Sequence, residues 1–211
     1  MSGILDLLNS DLGKQIVSGV SGSTGQDESK TGAVLTMAMP LLMKAMQRNA
    51  SSTEGARSLE NALEKKHNGG ILDNLGSLFQ GGVDDDVKQD GGNILNHILG
   101  AKQTGVEQLI SQKSGLDASS VANILKIAAP LVMGYLGKQK KEKNVSGQND
   151  LTSMLGGLLN GNSASADQSF LEKMLDADGD GSVVDDVAGM FLGGNKKKSG
   201  LGGVMGGRFG K

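Results

Sequence analysis

The chain has 211 residues, and its 21 Lys and Arg against 23 Asp and Glu give a formal net charge of −2. This balance argues against a protein dedicated to nucleic-acid binding, whose affinity would rest on a basic surface. No Cys is present, which excludes disulfides, thiolate nucleophiles and Cys-ligated metals. No Trp is present either, and four Phe with one Tyr are the only aromatic residues, so the core must be aliphatic.

The N-terminal region has no features of a targeting segment. Asp6 and Asp11 stand where a signal peptide would carry Lys or Arg. The longest apolar stretch, residues 121–136, is interrupted by Lys126 and Pro130 and is too short and polar to span a bilayer. The sequence therefore predicts a cytoplasmic protein.

The spacing of apolar residues is helical through the first 140 positions. A first helix is predicted behind a Ser2 cap, with apolar residues at every fourth position: Ile4, Leu8, Leu12, Ile16 and Val20. Further helices are predicted at about 28–46 and 52–66, followed by a helix stop at residues 67–70, where Gly supplies the left-handed C-terminal residue. No sustained alternation of β-branched residues occurs, which argues against strands.

An internal repeat relates the two halves of this region. Pro40 and Pro130 lie in matching apolar contexts at an offset of 90 residues. The same offset places Asp27 on Asp117, whereas Ser21-Gly22 matches Ser114-Gly115 at an offset of 93, which predicts three extra residues before Asp27. We therefore predict an all-α, multihelical bundle at 1–140, with an internal duplication at about 1–47 and 91–138.

The composition changes after this bundle. A charged and polar linker is predicted at 141–149, followed by a small helix–loop–helix appendage at 150–192. The remaining residues, 193–211, are rich in Gly and Lys and are predicted to be a disordered tail.

One motif in the appendage carries recognisable chemistry. Asp176, Asp178 and Asp180 occupy loop positions one, three and five, where carboxylates converge on a hard cation. Gly181 at position six permits the sharp turn, and Ser182 at position seven offers a backbone carbonyl. Apolar helical stripes flank this loop on both sides, which resembles an EF-hand and predicts bound Ca²⁺.

The loop departs from the EF-hand pattern at its end. Val184 at position nine has no side-chain oxygen, and Val187 replaces the bidentate Glu at position twelve. Asp186 at position eleven is our choice to close the loop one residue early, with Asp185 as the alternative. The competing interpretation is an acidic surface turn that binds nothing.

The two His residues show no such pattern. His67 lies in the predicted helix stop, and His97 lies on a helical stretch, where it is interpreted as a helix-face or cap residue. Neither has a neighbour at metal-ligand spacing. No nucleophile elbow or phosphate-binding loop is present, so no catalytic residue is assigned.

The chain resembles a known bacterial group. The stretch Gly-Asn-Ile-Leu-Asn-His-Ile-Leu-Gly at 92–100, the Ala-Ala-Pro-Leu-Val-Met-Gly-Tyr-Leu helix and the Asp-Gly-Asp-Gly loop are similar to the YidB-like family of domains of unknown function, over about residues 1–192. The resemblance implies an all-helical bacterial protein and supplies no activity or catalytic residues.

These observations favour a non-enzymatic binding or structural module. We expect a protein partner or self-association, and no nucleic acid or small-molecule substrate. One alternative is a membrane-surface protein that uses residues 138–143 and 196–198 on anionic lipid. A second alternative is a metal-dependent hydrolase built on the acidic loop.

Overall fold

The computed structural model describes residues 3–160, and these form helices without any strand. The all-α class predicted from the apolar spacing is confirmed. In chain order the α-helices are α1 (Ile4–Asn9), α2 (Asp11–Thr24), α3 (Glu28–Asn49), α4 (Thr53–Lys65), α5 (Gly70–Asp73), α6 (Leu75–Phe79), α7 (Asp85–Leu99), α8 (Gln103–Ser114), α9 (Ala118–Glu142) and α10 (Gly147–Asn160). A short 3₁₀ helix, Gly100–Lys102, joins α7 to α8.

The long helices α3 and α9 pack against each other at the centre of the molecule. Asp27 caps α3 and Asp117 caps α9, each accepting a hydrogen bond from a first-turn backbone N–H, at 3.0 and 2.9 Å. Pro40 and Pro130 lie inside these two helices, which both continue past the proline. Each of the two helices therefore runs through its proline without interruption.

The duplication is visible at the ends of α2 and α8. Gly25 and Gly115 end these helices in the left-handed conformation, with φ values of 67° and 69°. The Ser21 hydroxyl donates to the Gln26 carbonyl, and the Ser111 hydroxyl donates to the Leu116 carbonyl, both at 2.6 Å. These pairs keep the offset of 90, so the predicted shift to 93 and the three extra residues before Asp27 are wrong.

The N-terminal region forms two helices where the apolar stripe predicts one. Ser10 is extended, with ψ of 167°, and its hydroxyl accepts the Gly13 N–H at 3.2 Å, which starts α2 as a new helix. Gly13 lies against the Leu7 carbonyl, and a Cβ at this position would clash with it. The chain therefore turns a tight corner that periodicity alone does not detect. Gly3 precedes α1, and the predicted Ser2 cap lies outside the described residues.

The helix stop predicted at residues 67–70 is made by packing on α9. Lys66, which follows α4, is right-handed, and the left-handed residue is Gly69, with φ of 105°, before α5. The His67 carbonyl lies against Gly137 of α9, where a Cβ would clash with it. Contact with the central helix therefore holds this turn.

A close contact also joins α7 to α9. Pro130 has no N–H, so the Lys126 carbonyl one turn earlier lacks its helical hydrogen-bond partner. Gly91 of α7 packs directly on this carbonyl, at a distance that leaves no room for a Cβ. The proline and the glycine together determine how close the two helices come.

The last described helix, α10, belongs to the same core as the repeats. It packs on α3 and α4, and four of its residues are buried: Leu151, Met154, Leu155 and Leu158. The rest of the predicted appendage and the predicted tail, residues 161–211, lie outside the described residues.

Among the described helices, α9 has the length and hydropathy of a membrane-crossing helix, and 83% of its most apolar window is buried inside the molecule. A helix that is apolar on all sides also suits the centre of a helical bundle, which is the place α9 occupies.

Candidate functional site

A groove runs between α4 and α7 at the molecular surface. Its floor is apolar and includes residues of α3 and α9, and its volume is about 310 Å³. The apolar lining residues are Met46, Leu59, Ala62, Ile94, Ile98 and Met133. The polar and charged ones are Asn49, Ser58, Lys66, His67, Asp90, Asn93 and His97. Both His residues of the chain therefore lie in one groove, which their sequence positions do not suggest.

The close contacts with α9 position the charged end of this groove. Gly91 brings α7 onto α9, which places the neighbouring Asp90 beside the turn after α4. Gly137 brings that turn onto α9 from the other side, which places His67 opposite Asp90. Two positions without a Cβ therefore set the spacing between the two groups.

His67, Asp90 and Lys66 form a charged cluster there. The His67 Nε2 atom lies 3.5 Å from Asp90 Oδ2, and the Lys66 Nζ atom lies 2.5 Å from Asp90 Oδ1. The His67 side chain is 7% exposed. Burial lowers the pKa of His67 below its ordinary value of 6.5, and Lys66 also lowers it, while the Asp90 carboxylate opposes both. Neutral His67 leaves the cluster with one positive and one negative charge.

The other end of the groove is held by a bond between helices. The Asn49 side chain at the end of α3 donates to the His97 carbonyl of α7 at 3.3 Å. Gly55 in the first turn of α4 packs on the Asn49 carbonyl, which leaves no room for a Cβ. The ends of α3, α4 and α7 are thus tied together around Asn49.

Four groove residues are of types that take part in covalent or metal chemistry: Ser58, His67, Asp90 and His97. No group of three or more His, Asp or Glu residues within 3–160 is placed to hold a metal ion. The groove can hold apolar groups on its floor, and its polar rim can form hydrogen bonds with polar groups beside them.

A second cavity of about 400 Å³ lies between α2 and α6. Gly19 of α2 packs against the Phe79 ring, and most of the other lining residues are small: Ser18, Gly22, Ser23, Gly76 and Gly82. It contains no Asp, Glu, Lys, Arg or His, so it offers less chemistry than the α4–α7 groove.

The cation-binding residues predicted from the sequence lie outside the described residues. This holds for the whole set: Asp176, Asp178, Asp180, Ser182 and Asp186.

Two Lys residues of the basic stretch at the end of α9 form ion pairs with acids. Lys140 lies 2.8 Å from Glu64 and 3.6 Å from Glu60, and Lys138 lies 3.7 Å from Asp73. The hydrogen bond and charge of Lys140 lower the pKa of Glu64. These pairs tie α9 to α4 and α5.

A family model of bacterial proteins of unknown function, DUF937, matches residues 6–139. The chain belongs to this family. The match begins in α1 and ends in α9, so the DUF937 region includes both repeats and all residues that line the groove. No curated protein and no solved structure matches the chain.

Sequence reasoning identified none of the groove residues as functional. The signal that could have found them is the placement of Gly91 and Gly137 inside otherwise well-formed helical patterns, because Gly in a helix interior marks a close approach of another element. The polar residues beside those approaches, Asp90 and His67, are the ones that the groove brings together.

Proposed function

We propose that this DUF937 protein is a non-enzymatic interaction module whose α4–α7 groove binds an apolar face of a helical protein segment. The supporting observation is the groove itself: an open, apolar floor between two helices, with polar side chains at its rim. The described residues contain no strand edge to which an extended peptide could add. A gap between two helices suits a third helix, which presents side chains at positions i and i+4.

The size and charge of the groove support protein side chains as the bound groups. A volume of about 310 Å³ is at the lower end for a small-molecule site, which is typically about 300–1,000 Å³. Lys66 and Asp90 neutralise each other, so the charged end does not select an anion or a cation. Two aliphatic side chains from a neutral segment match these properties.

A labelled peptide tests this function. The probe is a fluorescein-labelled helical peptide of Ala, Glu and Lys with one pair of Leu residues four positions apart. We expect micromolar binding to the full chain by fluorescence anisotropy, and at least tenfold weaker binding to Ile98→Glu. Leu109→Glu on α8 is the matched control, since Leu109 is also a partly buried apolar residue but lies outside the groove. A probe with the Leu residues two positions apart cannot present both on one face. Equal binding of both probes would contradict the proposal.

The membrane-surface alternative has weaker support. Lys138 and Lys140 face Asp73, Glu60 and Glu64, which reduces the positive charge that α9 could offer to anionic lipid. Salt-sensitive sedimentation of the full chain with anionic vesicles would favour this alternative over the groove.

The hydrolase alternative would need an open metal position beside a pocket. The carboxylates of the acidic loop, Asp176, Asp178 and Asp180, are instead expected to close the site around the ion. Turnover of generic esters or phosphates in the presence of a divalent cation would favour this alternative.

We also propose three properties predicted from the sequence: Ca²⁺ binding, a relation to YidB-like proteins and a cytoplasmic location. Ca²⁺ would bind the acidic loop that begins at Asp176, supported by its alternating carboxylates and Gly181. The motifs at 92–100 and around Pro130 support a place among YidB-like proteins. A cytoplasmic location stays a prediction.

A further inference from the structure

The chain leaves the described core on α10, which packs against α3, a helix that also contributes to the α4–α7 groove. The last turns of α10 pack on α3, where a Cβ built at Gly156 would lie 3.1 Å from the Gln47 side chain. The residue before Gln47 is Met46, which lines the groove. Asn160 thus ends α10 on one side of α3, and the groove opens on another side of the same helix.

The segment beyond α10 carries an apolar pattern that fits such a groove. Phe170, Leu171, Met174 and Leu175 recur at i, i+1, i+4 and i+5, which places them on one face of a helix. Glu172 and Lys173 between them cancel in charge, as do Lys66 and Asp90 in the groove. The lining of the groove contains no Phe, Tyr or Trp, whereas the segment brings Phe170 as an aromatic anchor.

The connection is long enough for this segment to reach the groove. Residues 161–169 number nine and can span about 30 Å when extended. A helix with its side chains is about 10–12 Å in diameter, so crossing α3 requires less than half of that reach. A tether this short also gives the segment an effective concentration of about millimolar at the groove.

We propose that residues 170–175 of the same chain occupy the α4–α7 groove and compete there with an external helix. This inference rests on the proposed function, because it assigns the regulation of the same groove. The bound segment places Phe170 and Met174 on the apolar floor formed by Met46, Ile94 and Ile98. An external partner then binds only by displacing the segment.

The absence of Cys from the chain permits a specific crosslinking test. In the full chain, Ser58→Cys in the groove is combined with Lys173→Cys in the segment, and disulfide formation is followed under mild oxidant by mass spectrometry. The matched control combines Lys173→Cys with Ser18→Cys, since Ser18 is also an exposed helical Ser but lines the α2–α6 cavity. We expect the groove pair to form an intramolecular disulfide at least tenfold faster than the control pair. Adding Phe170→Asp should reduce that rate to the control value.

Two outcomes would overturn the inference. Equal rates for the two pairs would show that the segment has no preference for the groove. A disulfide formed between chains, with a rate that rises with protein concentration, would make a second copy the occupant.

A second measurement separates this inference from the proposed function. The labelled peptide is titrated against the full chain with Phe170→Asp and Met174→Asp, and we expect at least tenfold tighter binding than to the unaltered chain. Unchanged binding would refute competition by the segment while leaving the groove as a binding site. No binding to either chain, despite the intramolecular crosslink, would refute the external partner alone.

Discussion

The Thr31 hydroxyl, in the first turn of α3, is the buried side-chain polar atom within residues 3–160 that lacks a hydrogen-bond partner. The side chain has 0% exposure. The repeat places Val121 of α9 at the equivalent position, also with 0% exposure. The second repeat thus fills the same environment with a methyl group in place of the hydroxyl, which removes the cost of burying an unpaired polar group.

Replacing Thr31 with Val should therefore raise the free energy of unfolding by about 1 kcal/mol, because the desolvation penalty disappears while the shape is kept. The mirror variant Val121→Thr should lower it by about 1–3 kcal/mol. Urea denaturation followed by circular dichroism measures both. A destabilised Thr31→Val chain would mean that this hydroxyl has a partner.

Buried His67 makes stability depend on pH. Its pKa in the folded protein is lowered from 6.5 by burial, so the unfolded chain takes up a proton at higher pH than the folded chain does. Stability is therefore fully present above pH 6.5 and falls as the pH decreases from 6.5 toward the lowered pKa. The groups that face His67 are Asp90, which opposes the shift, and Lys66, which adds to it.

We expect the melting temperature to fall between pH 7 and pH 5, and His67→Gln to flatten that part of the profile. His97→Gln in the same groove is the matched control, since His97 is exposed. Identical pH profiles for the unaltered chain and His67→Gln would contradict this assignment.

At the scale of elements, single Gly residues decide how helices pack. Gly91 and Gly92 are neighbours in α7 with opposite surroundings: Gly91 lies against the Lys126 carbonyl, while a Cβ at Gly92 would meet nothing within 4 Å. Replacing each of them with Ala therefore separates the effect of helix propensity on stability from the effect of the helix–helix contact.

Gly91→Ala should lower the free energy of unfolding by about 2–3 kcal/mol, because α7 must move away from α9. Gly92→Ala should raise it by about 0.5–1 kcal/mol, since Ala is the better helix former. Denaturant titration of both variants provides the comparison. The displacement of α7 should also weaken binding of the Leu-pair peptide to Gly91→Ala. Similar effects of the two substitutions on stability would show that the α7–α9 contact is not tight.

At the scale of the whole molecule, the two repeats form one core. The helix after each repeat crosses to the central helix of the other repeat, since α10 packs on α3 and α4 packs on α9. The groove lies between α4, which follows the first repeat, and α7, which starts the second. Neither repeat alone contains both walls of the site.

The Ca²⁺ site predicted in the acidic loop can be tested in the full chain. We expect Ca²⁺ to raise the melting temperature of the C-terminal part of the full chain by mass action, with binding heat in calorimetry. Replacing Asp178 and Asp180 with Asn should abolish both effects and leave the helical circular dichroism signal unchanged. An identical response of the double variant, or no binding heat at millimolar Ca²⁺, would mean that the motif is an acidic surface turn that binds no cation.

The sequence by itself determined the helical class and the duplication that aligns Asp27 with Asp117 and Pro40 with Pro130. Apolar periodicity is a local property, so a single chain displays it directly. The tertiary structure decided the break at Ser10, the register between the repeats and the groove. The groove joins His67 to Asp90, which are 23 positions apart, through contacts of Gly91 and Gly137 with α9. Such contacts depend on where helices cross, and the spacing of residues within one helix carries no information about that.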